Sequence, residues 1–124
     1  MSDSVMTGPI RVLVVEDSED QSALLRQNFE RAGCIVTTVE NAEQAIEAYR
    51  ADPPELAVID LVLPGMDGWE LVERVRADLP DCAIAITSVL DAADFPAAEA
   101  ILPKPFTGAE IRQVLKDTVP RWGS

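Results

Sequence analysis

Histidine is absent from the sequence, and its two cysteines, Cys34 and Cys82, are not arranged as a C-x-x-C pair. Catalysis by Ser-His-Asp or Cys-His groups is therefore excluded, and so are the usual zinc sites built from these two residue types. Each cysteine opens an apolar run, so we expect two buried, reduced thiols rather than a disulfide. The glycine-rich loops G-x-x-x-x-G-K and G-x-G-x-x-G are also missing, which argues against a nucleotide-binding role.

Long apolar runs and basic residues are also scarce. No apolar run approaches the roughly 20 residues that span a bilayer, and the first ten residues, MSDSVMTGPI, lack the basic start and apolar stretch of a signal peptide. The 10 Lys and Arg residues stand against 22 Asp and Glu, which gives a net charge of -12. Such an excess repels phosphate backbones and anionic lipids. We therefore expect a cytoplasmic protein that binds neither nucleic acid nor membranes directly.

What the sequence does contain is five short apolar runs, each bounded by polar or turn residues and too short for a helix. They are IRVLVV (10–15), CIVTTV (34–39), LAVI (56–59), AIAI (83–86) and AIL (100–102). The first, third and fourth are almost uninterrupted, which is typical of central strands in a parallel sheet. Stretches with helical period separate or follow the runs, with apolar positions at Leu24, Leu25 and Phe29; Ala42, Ala45, Ile46 and Tyr49; Leu71, Val72 and Val75; and Ile111, Val114 and Leu115.

Four of the predicted helices begin with a capping side chain that is followed three residues later by an acid or an amide. The pairs are Ser18 and Gln21, Asn41 and Gln44, Asp67 and Glu70, and Thr107 and Glu110. The remaining gap, residues 88–103, must hold a loop, a helix and a short strand. A helix of about two turns is all that fits there, which predicts a shortened fourth helix region.

The alternation predicts an α/β protein with a (βα)₅ pattern and a doubly wound, five-stranded parallel sheet. The small sheets of this flavodoxin-like kind have the strand order 2-1-3-4-5. A length of 124 residues suits one domain. We expect it to span residues 10–119, with a flexible N-terminal tail over 1–9 and a C-terminal tail over 120–124 that is either loose or held by Trp122 against the last helix.

Polar residues follow the central strands at the point where each strand ends. Glu16 and Asp17 follow the first run, Asp60 the third, Thr87 the fourth and, after a proline, Lys104 the fifth. Each residue has an ordinary explanation by itself, since Asp17 could cap a helix and a lone lysine is usually solvated. The carboxyl ends of parallel strands share one edge, however, and ligands bind there. The sequence therefore predicts a site that gathers these five side chains.

The chemistry of this set favours phosphoryl transfer. Three carboxylates held together repel one another unless a cation lies between them, and ligands that are all oxygen suit Mg²⁺, with Mn²⁺ as the alternative. A carboxylate can also act as a nucleophile and form an acyl phosphate. The cation, the Lys104 ammonium and the Thr87 hydroxyl would then neutralise charge on the three equatorial oxygens of the phosphoryl group. Asp60, in the middle of the edge, is placed to attack.

The segments VLVVEDSED, LAVIDLVLPGMDGWEL, AIAITS and LPKPF resemble the receiver domains of two-component response regulators, and the resemblance covers residues 10–118. It implies that Asp60 is the phosphoacceptor and that Thr87 and Lys104 contact the phosphoryl group. It also implies that Glu16, Asp17, Asp60 and the Val62 carbonyl hold Mg²⁺, Asp17 most directly. Gly65, Gly68 and the Lys104-Pro105 bond would shape the surrounding loops.

Two features depart from the family that the chain resembles. Relatives usually carry an aromatic residue three positions before the lysine, where this chain has Ile101, and the fourth helix region is shorter than expected. Both departures fall on the face that commonly passes the signal to a partner. The resemblance implies that Val62 and Val89 occupy the two positions that tune hydrolysis of the acyl phosphate. Because neither side chain orients water by hydrogen bonding, we expect slow autodephosphorylation, over minutes or longer.

The resemblance implies a receiver domain that catalyses its own phosphorylation from a sensor histidine kinase or a histidine phosphotransfer protein. It would signal to a downstream protein by a conformational change, as a monomer or weak dimer. The sequence fits both a stand-alone regulator and a receiver from a larger protein. One alternative is a pseudo-receiver that acts as a phosphorylation-independent interaction module. A second, an aspartyl-phosphate hydrolase of the haloacid dehalogenase type, is disfavoured because Glu16-Asp17-Ser18 stands where those enzymes carry D-x-D.

Overall fold

Five parallel strands form one sheet in the order β2-β1-β3-β4-β5, as the sequence predicts. The computed structural model describes residues 8–61, 68–88, 98, 100–103 and 106–122. The strands are β1 (Arg11–Val15), β2 (Ile35–Val39), β3 (Leu56–Asp60), β4 (Ala83–Ser88) and β5 (Ala100–Pro103). The helices are α1 (Glu19–Arg31), α2 (Ala42–Ala51), α3 (Gly68–Asp78) and α4 (Gly108–Thr118). The short helix expected between β4 and β5 lies outside the described residues.

The sheet is covered on both faces, and successive residues of each central strand point to opposite sides. Every residue of β3 is buried, as the apolar run over 56–59 predicts. One face of the sheet packs against α1 and α4 through Leu25, Phe29, Ile111, Val114 and Leu115. The other face packs against α2 and α3 through Ala42, Ala45, Tyr49, Leu71, Val72 and Val75. This is the doubly wound arrangement, in which ligands bind at the carboxyl ends of the strands.

Both cysteines are buried and neither forms a disulfide, which confirms the prediction of reduced core thiols. Cys34 belongs to the apolar cluster beneath α1 and α4, and Cys82 to the cluster on the opposite face. Burial, together with the negative charge of Glu55, raises the pKa of the Cys34 thiol to about 11. A thiol with this pKa stays protonated near neutral pH and is a poor nucleophile.

Three of the predicted helix caps are present. The Ser18 hydroxyl accepts a hydrogen bond from the Gln21 N–H over 3.4 Å, and the Asn41 side chain accepts one from the Gln44 N–H over 2.8 Å. Thr107 and Glu110 form a reciprocal capping box at the start of α4. The fourth pair includes Asp67, which lies outside the described residues. These caps fix where three helices leave the carboxyl edge of the sheet.

The last described residues, which the sequence leaves either loose or packed, are held against the sheet. The Trp122 indole donates a hydrogen bond to the Ala32 carbonyl over 2.8 Å and packs on the cluster beneath α1 and α4. Arg121 donates to the Glu55 carboxylate and to the carbonyls of Gly8 and Pro9. These contacts lie at the amino edge of the sheet, opposite the predicted site. Among the helices that the structure describes, none is long and apolar enough to cross a bilayer.

Candidate functional site

Strand register brings four of the predicted site residues together at the carboxyl edge of the sheet. In the ladder between β1 and β3, Val15 lies opposite Ile59, so the residues that follow them, Glu16 and Asp60, are neighbours. In the ladder between β3 and β4, Asp60 lies opposite Thr87. Glu16, Asp60 and Thr87 therefore come from three adjacent strands, and Asp17 follows Glu16 in the chain.

Three carboxylates converge at this edge. Glu16, Asp17 and Asp60 each place one carboxylate oxygen within 4.8 Å of an oxygen of the other two. Glu16 and Asp60 are 2% and 5% exposed, whereas Asp17 is exposed. At this separation two unit charges repel by about 3 kcal/mol if the effective dielectric constant is about 20. Three oxygen donors, one of them exposed, fit a small divalent cation that keeps part of its water shell.

The position of Glu16 is fixed by backbone hydrogen bonds on two sides. Its N–H donates to the Val39 carbonyl over 3.0 Å, which extends the pairing of β1 with β2. Its Oε2 accepts from the Ser18 N–H over 3.1 Å. Ser18 thus has two roles, because its hydroxyl caps α1 while its N–H orients Glu16. The sequence predicts the cap alone, since a backbone donor leaves no trace in residue type.

Thr87 carries the most unusual polar atom of the described site. The residue is fully buried, and its Oγ1 has no hydrogen-bond partner among the described residues. Most buried polar atoms are paired, and an unpaired hydroxyl costs about 1–3 kcal/mol. Thr87 is opposite Asp60 in the sheet, so this unused hydroxyl lies beside the three carboxylates. An unsatisfied hydroxyl beside a group of carboxylates is suited to donate a hydrogen bond to a ligand that binds at this edge of the sheet.

Several predicted residues cannot be placed. Lys104 and Val62 lie outside the described residues, as do Val89 and Pro105. Ile101, on the edge strand β5, is described and is 44% exposed. The site that the structure describes is therefore the set of Glu16, Asp17, Asp60 and Thr87.

Comparison with known proteins gives a family match over most of the chain. Residues 12–116 match the family of response regulator receiver domains. The transcriptional regulatory protein CseB of Streptomyces coelicolor is 30% identical over 123 residues, which are 95% of this chain and 53% of CseB. The response regulator receiver protein CpdR of Brucella abortus is 34% identical over 102 residues, covering 77% of this chain and 85% of CpdR.

A solved structure supports the fold. A sensor protein from Polaromonas sp. JS666 superposes with a TM-score of 0.79 and 28% identity, covering 91% of this chain and 98% of that one. The chain spans about half the length of CseB and of other curated relatives that it matches. The other half of those relatives has no counterpart in the part of the sequence that matches.

Proposed function

The chain belongs to the family of response regulator receiver domains, and on that premise we propose that Asp60 accepts a phosphoryl group from a phosphohistidine. The donor would be a sensor histidine kinase or a histidine phosphotransfer protein, and the receiver domain would extend over residues 10–119. The phosphorylated domain would signal to a downstream protein through a change in conformation, as a monomer or weak dimer.

The proposed reaction is a displacement at phosphorus. An oxygen of the Asp60 carboxylate attacks the phosphorus atom, the bond from phosphorus to the donor imidazole nitrogen breaks, and that nitrogen keeps the electron pair. The product is an acyl phosphate on Asp60. Thr87 would donate its hydroxyl hydrogen to one phosphoryl oxygen, and the Lys104 ammonium would pair with another.

The donor set fits Mg²⁺, or Mn²⁺ as the alternative. Glu16, Asp17, Asp60 and the Val62 carbonyl would hold the ion, and Asp17 is the exposed one of the three carboxylates. When bound, the cation supplies positive charge that offsets both the mutual repulsion of the carboxylates and the charge of the phosphoryl group. The hydrogen bonds of Glu16 with Ser18 and Val39 would hold this carboxylate in position for the ion.

One observation carries the proposal: the unpartnered Thr87 hydroxyl lies beside Asp60, next to two further carboxylates. A purely structural cluster of this kind would be costly, because it combines like charges with a buried hydroxyl that bonds to nothing in the described part of the chain. Binding of a cation and a phosphoryl group would remove both costs together.

The test is incubation with acetyl phosphate and Mg²⁺, followed by intact-mass measurement. We expect the chain to gain one phosphoryl group and Asp60→Asn to gain none. Asp20→Asn, which changes an exposed acid in the first turn of α1, is the matched control and should react as the wild type does. A phosphoryl group found on the Asp60→Asn chain would contradict the assignment.

A pseudo-receiver that binds a partner without phosphorylation is the second candidate, favoured by the exposed Ile101 at the edge of the sheet. It predicts no mass gain under the same conditions. If the chain is phosphorylated, decay of the modified mass tests the expected lifetime of minutes or longer; loss within seconds would contradict the role assigned to Val62 and Val89.

A further inference from the structure

Gly68, the first residue of α3, lies directly against the peptide that joins Asp60 to Leu61. Its N–H donates a hydrogen bond to the Leu61 carbonyl over 3.0 Å. A Cβ on residue 68 would lie 2.4 Å from the Leu61 Cα and 2.5 Å from the Asp60 carbonyl oxygen. Because non-bonded carbon atoms pack at about 3.5–4.0 Å, no side chain fits here. The backbone φ of Gly68 is not positive, so space rather than conformation requires glycine.

Neither of the two elements in contact can easily move away. Strand β3 lies in the middle of the sheet and is paired with β1 on one side and β4 on the other. Helix α3 is held by Leu71, Val72 and Val75, which are buried in the apolar cluster on its face of the sheet. A side chain at position 68 must therefore rotate the Asp60–Leu61 peptide or lift the start of α3.

We infer that Gly68 is a positioning residue for Asp60. By allowing α3 to press on the peptide after Asp60, it fixes the direction of that carboxylate relative to Glu16, Asp17 and Thr87. The consequence for phosphoryl transfer rests on the proposed function of Asp60, whereas the contact itself does not. Displacements of about 1 Å at a reacting group can slow a reaction about a hundredfold.

A second glycine provides a matched control. Gly108 is the first residue of α4, a helix of the same length as α3, with 11 residues in each. A Cβ at position 108 would meet only the ends of two side chains, Asn28 Oδ1 at 3.2 Å and the Arg112 guanidinium at 3.5 Å. Gly68→Ala and Gly108→Ala therefore make the same chemical change at equivalent helix positions. The new methyl group collides with backbone atoms in Gly68→Ala and meets side-chain atoms in Gly108→Ala.

The experiment compares the rate of phosphorylation by acetyl phosphate, at saturating Mg²⁺, with the melting temperature of each variant. We expect Gly68→Ala to react at least about tenfold more slowly at a temperature where it is fully folded. Gly108→Ala should stay within about twofold of the wild type. Val75→Ala leaves a cavity under the same helix and controls for lost stability. The inference is overturned if Gly68→Ala reacts within twofold of the wild-type rate. It is also overturned if Val75→Ala, at a matched melting temperature, loses as much of the phosphorylation rate as Gly68→Ala.

Two further measurements separate this inference from the proposed function. If the wild type is not phosphorylated, the proposed function fails, but the contact is still tested by NMR: the Asp60 and Leu61 amide resonances should shift in Gly68→Ala and not in Gly108→Ala. Unchanged resonances overturn it. If Gly68→Ala does not fold, the wild type is used, and the Gly68 amide hydrogen should be protected from exchange about as strongly as the interior of β3, because its N–H donates to the Leu61 carbonyl. Exchange at the rate of an unprotected amide overturns the inference.

Discussion

At the scale of single residues, Thr87 carries a buried hydroxyl that lowers the stability of the folded protein and would bind a phosphoryl oxygen. Its hydroxyl is buried without a partner among the described residues, so the folded protein bears the desolvation cost of that group. The cost would be recovered when a phosphoryl oxygen accepts the hydrogen bond. This balance gives a prediction in which stability and reactivity change in opposite directions.

Thr87→Val should raise the free energy of unfolding by about 1 kcal/mol, because a methyl group replaces the unsatisfied hydroxyl at nearly the same volume. The same variant should be phosphorylated by acetyl phosphate at least about tenfold more slowly, since it lacks the donor. Urea denaturation and intact-mass kinetics measure the two effects. Thr87→Ser, which keeps the hydroxyl, should retain most of the rate; a Thr87→Val chain that is less stable than the wild type would show that the hydroxyl has a partner.

Residue types at the ends of apolar runs were enough to predict that four side chains of the candidate site lie at one edge of the sheet. Glu16, Asp17, Asp60 and Thr87 could be predicted because the carboxyl ends of parallel strands share one edge. The backbone N–H of Ser18 and the missing partner of Thr87 could not be predicted, since both depend on where backbone atoms lie. Gly68 could be recognised as a motif glycine, but its contact with the Asp60–Leu61 peptide required coordinates.

At the scale of elements, the sequence predicts the strands well and their ends less well. Apolarity stops at Ile59 and Ile86, whereas β3 continues to Asp60 and β4 to Ser88. The difference arises because strand pairing is made by the backbone, and Asp60 and Thr87 extend the ladder although their side chains are polar. The site residues are thus partly inside the sheet, which makes them more rigid than residues of a loop.

Helices α2 and α3 are joined by a polar contact that gives a pH prediction. The buried Tyr49 donates its hydroxyl hydrogen to Asp78 at the end of α3. Burial, with the hydrogen bond and charge of Asp78, raises the pKa of Tyr49 to about 12 from 10.0. Folding therefore favours the protonated phenol. This contribution to stability is fully present below pH 10 and is lost as the pH rises from 10 through about 12.

Because Tyr49 is the one tyrosine in the sequence, its phenolate absorbance can be titrated without interference from other tyrosines. We expect the folded wild type to ionise near pH 12, and Asp78→Asn to ionise at a lower pH that remains above 10, since burial is unchanged. Asp81→Asn, an exposed acid nearby in the chain, should leave the titration as it is in the wild type. A wild-type transition at pH 10 would contradict the buried contact.

At the scale of the whole molecule, the two ends of the described chain meet at the edge of the sheet opposite the site. Arg121 links Glu55 to the carbonyls of Gly8 and Pro9, and Trp122 bonds to Ala32. The sequence could not distinguish this arrangement from a loose tail, because each contact joins residues far apart in the chain. These contacts hold Arg121 and Trp122 at the amino edge of the sheet.

Arg121→Met should lower the free energy of unfolding by about 1–2 kcal/mol, because it removes charge-assisted hydrogen bonds and leaves the largely buried Glu55 without its cation. The rate of phosphorylation should stay within about twofold of the wild type, since the change lies at the other edge of the sheet. Urea denaturation measures the first effect and intact mass the second. Arg112→Met, at an exposed position of α4, should change neither quantity; an equal loss of stability in both variants would contradict the role of Arg121.

The central claim is that folding gathers acids from separate segments into one cation pocket around a reactive Asp60. The measurement that tests it most directly is the intact mass of the whole chain after treatment with acetyl phosphate, in Mg²⁺ and in excess chelator. We expect one added phosphoryl group in Mg²⁺, none in chelator, and a strong loss of reaction in Asp17→Asn. Equal phosphorylation with and without the metal, or no phosphorylation under either condition, would contradict it.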